Sequence, residues 1–143
     1  MRFMIMVLAT KEADQAGRLP TAEEFAEMGK YQEEMVKAGV LLAGEGLRPS
    51  TEGNASRITV SGGKKTITDG PFAETKELIA GFSIIQVRSK AEAIEWASRA
   101  PFPDGAQLEI RQVFEDDDFA PSDPTGELRE QDAKRREQYA RKA

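Results

Sequence analysis

Two segments of this chain are apolar on both faces of an extended backbone, and they constrain the fold more than any other feature. In residues 2–9, Phe3, Ile5 and Val7 alternate with Met4, Met6 and Leu8. In residues 78–87, Leu78, Ala80, Phe82 and Ile84 alternate with Ile79, Gly81, Ile85 and Val87. A strand of this kind is stable only where both of its faces are covered. Residues 2–9 are therefore expected as a central or interfacial strand and residues 78–87 as a central one, and every other element must be arranged to cover them.

The elements between them are legible from local signals. Thr21-Ala22-Glu23-Glu24 forms a capping box after Pro20, and Phe25, Met28, Gln32, Met35 and Val36 recur near the helical period up to Gly39. Such a cap is worth about 1 kcal/mol, and the apolar stripe supplies most of the rest through packing. Val40 to Leu47 reads as a strand. Arg57–Val60 and Thr66–Thr68 form a hairpin around Ser61-Gly62-Gly63-Lys64. Ser89-Lys90-Ala91-Glu92 repeats the capping pattern and opens a helix with Ala93, Ile94, Ala97 and Ala100, which Pro101 ends. Leu108 to Phe114 returns as a strand.

Strand, helix, strand, hairpin, strand, helix, strand is the order of an α+β ferredoxin-like unit with a β-hairpin insertion. Two helices cover one sheet face and leave the other open, so the doubly apolar strands need a second surface. A second copy of the sheet satisfies them. The expectation is a homodimer whose sheets pack face to face, with clefts lined by residues that point away from the helices. The domain is expected over residues 1–115. Residues 116–143 form a charged C-terminal extension, read as a helical arm. It is either a solvated helix with opposite charges at turn spacing, such as Glu130 and Lys134, or an arm that clasps the partner subunit through Phe119, Leu128 and Tyr139.

Charge and composition narrow the function classes. A net charge of −5 argues against a surface that tracks phosphates, so no direct nucleic-acid partner is expected. The apolar opening is too short to span a bilayer, and no membrane partner is expected. The chain has no cysteine, which gives no sign of an oxidising compartment, and the expected location is cytoplasmic. It also has no histidine, which removes the usual acid-base group at neutral pH. Gly62-Gly63 lies in a hairpin and not at a helix start, so no phosphate-cradling loop is present, and no metal-ligand spacing appears. No cofactor and no metal site are expected.

Charged residues concentrate in Asp69-Gly70-Pro71-Phe72-Ala73-Glu74-Thr75-Lys76-Glu77, a turn between two strand-like segments. Asp69 is either ordinary turn chemistry before Gly-Pro or a cleft carboxylate, and Glu74, Lys76 and Glu77 add groups that could hold a ligand. Glu45 stands between two glycines in an otherwise apolar strand, which suits a cleft carboxylate or an edge-strand charge that discourages aggregation. Glu109 and Arg111 fall on the polar face of the last strand. Arg111 is the best placed cation for an anionic ligand, and an ion pair with Glu109 or across an interface is the plain alternative. Trp96 and Tyr31 read as packing residues.

These residues resemble the YCII-related family, in particular its DGPF branch, named for the run that stands here as Asp69-Gly70-Pro71-Phe72. The resemblance extends to Tyr31, Gly39, Glu45-Gly46-Leu47 with Pro49, the stretch from Asp69 to Glu77, Gly81-Phe82 and Glu109-Ile110-Arg111. It implies a dimeric ferredoxin-like α/β barrel with a cleft near the DGPF turn. Other YCII-like proteins carry a histidine and aspartate pair proposed to be catalytic, which this chain cannot match. The branch also implies an association with extracytoplasmic-function sigma factors. The expected function is a small-molecule-binding homodimer with a regulatory role, its ligand small and anionic. The alternative is a cofactor-independent enzyme, a lyase, isomerase or hydrolase, with Asp69 or Glu45 as general base and Arg111 holding a developing anion. A protein-interaction module built on the tail is a third reading.

Overall fold

Sheet register accounts for the double apolar pattern. A computed structural model describes residues 1–51, 53–72 and 78–142, with Gln15 by its backbone alone. The chain runs through β1 (Arg2–Leu8), α1 (Lys11–Ala16), α2 (Ala22–Lys37), β2 (Leu41–Gly46), β3 (Ser56–Ser61) and β4 (Lys64–Asp69). It continues through β5 (Ile79–Gln86), α3 (Lys90–Ser98), β6 (Gln107–Gln112), a 3₁₀ segment (Asp116–Ser122) and α4 (Glu127–Ala140). Four strands form an antiparallel sheet in the order β2-β5-β1-β6, and β3 and β4 pair separately. That is the ferredoxin-like order with a hairpin inserted after its second strand. The two doubly apolar segments, β1 and β5, are the two central strands.

Paired residues share a face. Phe3 pairs with Ile85, Ile5 with Ser83 and Val7 with Gly81, while Ile110 and Leu108 of β6 pair with Ile5 and Val7. This face packs on the helices: Phe3, Ile5, Ile85 and Val87 join Tyr31 and Met35 of α2 and Ala93, Trp96 and Ala97 of α3 in one buried cluster. The opposite face carries Met4, Met6, Phe82 and Ile84, half-buried, with Glu109 and Arg111 in register beside Met6 and Met4.

The expected capping box is present at α2. Thr21 Oγ1 accepts the Glu24 N–H at 3.2 Å, and a Glu24 carboxylate oxygen accepts the Thr21 N–H at 2.8 Å. The buried stripe is rotated from the expected one, because Tyr31 and Met35 are covered while Phe25 and Val36 remain 74% and 60% exposed. Tyr31 decides the rotation by donating its hydroxyl to the Trp96 carbonyl at 2.9 Å, which fixes α2 against α3. At α3 half of the box forms: Ser89 caps the Glu92 N–H, and the Glu92 carboxylate accepts from Arg88 instead. Gly62 and Gly63 take the positive φ that a two-residue hairpin loop demands. The sixth strand stops at Gln112, short of Phe114. Helix α1 was not expected; its start is capped by Thr10 Oγ1, which accepts the Ala13 N–H, and Gly17 ends it at a φ of 57°.

The chain divides into two units, Met1–Gln112 and Val113–Ala143. In the second, the buried Asp123 carboxylate accepts the Arg129 and Leu128 N–H groups at the start of α4, and also the Arg129 side chain. The Arg129 backbone bond, more than the others, holds the Asp123 carboxyl below the usual range. Ion pairs at helical spacing, Lys134 with Glu130 and Arg136 with Asp132, follow along α4.

Candidate functional site

Small residues open a chamber between the sheet and α2. On the helix face, Gly44 pairs with Ser83 and Gly46 with Gly81, next to Ile5 and Val7 of β1. Three of these four β2 and β5 positions carry no side chain, and the fourth carries only a hydroxymethyl group. Beneath α2 they leave a cavity of about 260 Å³, walled by Met28, Tyr31, Met35, Phe102 and Leu108 as well as the strands. A Cβ at Gly46 would meet no heavy atom within 4 Å, so that position faces open space. Gly81 is different: a Cβ there would stand 3.0 Å from the Glu45 carbonyl oxygen, and close approach of the two strands requires glycine.

The chamber is mostly apolar, and Gln32 and Ser83 bring polar side chains to its helix side. Gln32 and Ser83 both line it, and neither side chain has a hydrogen-bond partner among the described residues. They converge, since the position of a Gly44 Cβ would be 3.6 Å from Ser83 Cβ and 3.9 Å from Gln32 Nε2. The Tyr31 hydroxyl is committed to Trp96, and burial pushes its pKa up, so it stays protonated.

A second, more polar cleft of about 550 Å³ adjoins the first, and Pro20, Gly46 and Ala80 line both. Its wall includes Arg18, Arg48, Pro49, Thr51 and Asn54, with Asp14 of α1. Arg18 grips Glu24 with two hydrogen bonds, at 2.8 and 2.9 Å. That bond, with the Thr21 N–H next in weight, lowers the Glu24 carboxyl to about 2.

The DGPF run braces this wall from behind. Asp14, buried, accepts the Ser50 N–H at 2.8 Å and also a short hydrogen bond from the Ser50 hydroxyl. Ser50 in turn presses on Gly70, where any Cβ would collide with the Ser50 carbonyl oxygen. The Gly70 N–H donates to Ala55, the Asp69 carboxylate accepts the Ser56 hydroxyl at 2.6 Å, and the Arg57 guanidinium lies 4.3 Å from the centre of the Phe72 ring. None of residues 69–72 lines either cleft.

The site residues expected from sequence are dispersed. Asp69 is exposed at the end of β4. Glu45 borders the chamber, yet the β2 register aligns it with Phe82 on the face away from the helices. Glu109 and Arg111 come together, 3.3 Å apart and exposed, on that same face at the opposite sheet edge. Glu74, Lys76 and Glu77 lie outside the described residues. Among the described residues, no group of three or more acidic side chains is placed to hold a metal ion, and no helix is long and apolar enough to cross a membrane. Sequence reasoning missed Asp14, Gln32, Arg48 and Ser83 as contributors. The glycines at 44, 46 and 81 were the available signal.

The family model of the YCII-related domain matches residues 1–117. This chain belongs to the YCII-related family. An uncharacterised protein of Rhizobium meliloti (strain 1021) is 38% identical over 71 residues, 50% of this chain. The match spans little more than half of that curated relative, 56% of its length. Among solved structures, this YCII-related chain is similar to 5-chloro-2-hydroxyhydroquinone dehydrochlorinase of Burkholderia phenoliruptrix AC1100, solved as a complex with 2,5-dihydroxybenzoquinone. That similarity has 14% identity and a TM-score of 0.39, and covers 80% of this chain and 96% of the other.

Proposed function

We propose that this YCII-related protein binds a small, largely apolar molecule in the chamber beneath α2. One observation carries the reading: the helix face of the sheet is hollow where Gly46, Gly81 and Ser83 meet, and Gln32 and Ser83 present polar groups without a partner among the described residues. An apolar pocket with a few convergent polar groups is the usual form of a ligand site. Size narrows the class. A cavity of about 150 Å³ holds benzene, so about 260 Å³ suits one substituted ring or a short branched chain. Binding requires no chemistry of the lining, where Tyr31 is already committed to Trp96.

The same reading includes a homodimer. Met4, Met6, Phe82 and Ile84 form a half-buried apolar patch on the face away from the helices, which a second sheet would cover. Sedimentation should show a dimer that Phe82→Glu dissociates, and a wild-type monomer would end this part of the reading.

For the ligand, the test uses the uncharged probe 3-phenylpropan-1-ol and the methyl resonances of Met28 and Met35. Saturable shifts with a Kd below about 1 mM, equivalent to about −4 kcal/mol, are expected from the wild type. They should vanish in Gly46→Leu, whose side chain occupies the chamber. Shifts that persist in that variant would place the probe elsewhere, and their absence from the wild type would end the proposal.

A further inference from the structure

Among the described residues, the charges around the polar cleft other than Arg48 are committed. Both Asp14 oxygens accept from Ser50, and Arg18 is held by Glu24 through two hydrogen bonds. Arg48 also lines the cleft, and among the described residues it has no ion pair and no hydrogen bond. It follows directly on the strand whose Gly46 belongs to both cavities. An uncommitted guanidinium is a planar fork of donors that matches a carboxylate. Thr51, on the same wall, has a hydroxyl with no recorded partner among the described residues and can add a donor.

Taking the chamber as the site of the apolar part, we propose that the ligand is an organic carboxylate. Its ring or short branched chain enters the chamber past Gly46, and its anionic group is held by Arg48 in the polar cleft. This deepens the binding reading above and depends on it. It also assigns the anion to a different arginine from Arg111, which sits on the opposite face and pairs with Glu109.

The deciding experiment compares 3-phenylpropionate with 3-phenylpropan-1-ol, two probes of the same ring and chain that differ in charge, by calorimetric titration of the full chain. The wild type should prefer the carboxylate at least tenfold, with the preference shrinking as salt is raised. Arg48→Gln should reduce it to within about twofold while leaving the alcohol unchanged, since the side chain is exposed and its loss does not disturb packing. Arg111→Gln should keep the full preference. Equal binding of the two probes by the wild type would overturn the inference and leave the chamber reading intact. A preference that survives Arg48→Gln or disappears in Arg111→Gln would also overturn it. Failure of both probes to bind would remove both proposals together.

Discussion

The two ends of one sheet face are built on opposite plans. At one end Phe3 and Ile85 are 2% and 0% exposed and pack in one cluster with Ala93 and Trp96. At the other, beneath the same helix α2, glycines and a serine leave about 260 Å³ unfilled. The same strands and the same helix run through both ends, and side-chain volume separates them. A packed interior tolerates no hollow of this size without loss of contacts. The filled end supplies the stability that permits the hollow end to exist.

That contrast can be broken from either side. The largest effect is expected from Ile85→Ala, which makes a new hollow in the filled end; chemical denaturation should show a loss of about 2–5 kcal/mol. Next is Asp14→Ala, which strips Ser50 of two buried hydrogen bonds and frees the wall of the polar cleft. A loss of about 1–3 kcal/mol is expected, with faster amide exchange over residues 48–51. Filling the hollow end should cost far less. Gly46→Leu meets no atom at Cβ, so its stability should stay within about 1 kcal/mol of the wild type. A loss as large as that of Ile85→Ala would erase the distinction between the ends.

The smallest effect concerns Glu24, at the rim near Arg18. Its carboxyl is lowered from an ordinary 4.5 to about 2, chiefly by the Arg18 hydrogen bond. A folded pKa below the unfolded one contributes stability that is present above 4.5 and lost as pH falls through about 2. Urea denaturation across that window should therefore show a shallower decline for Glu24→Gln than for the wild type, and parallel declines would dismiss the clamp.

The sequence announced the frame better than the site. The strand order, the Thr21 box and the Gly62-Gly63 loop depend on neighbours within a few residues, and such patterns survive without knowledge of the fold. Helix α1 escaped because Lys11–Ala16 has no apolar period; only Thr10 before it and Gly17 after it mark its ends. The brace escaped for another reason, since Asp14 and Ser50 are 36 residues apart. In Gly44-Glu45-Gly46 the carboxylate drew attention, while the glycines on either side matter more: Gly46 lines the chamber and Gly44 lies against Ser83 and Gln32. Their meaning emerges only when β5 brings Gly81 and Ser83 into register with them.

One consequence of Gly46 concerns the family's capacity to change. Because a Cβ at this position meets open space and its backbone is not confined to the left-handed region, alanine, valine and leucine there are expected to shorten the chamber stepwise. Ligand size can thus drift by single substitutions while the fold is untouched. At Gly81 or Gly70, where another strand or loop crowds the Cα, no such series is open.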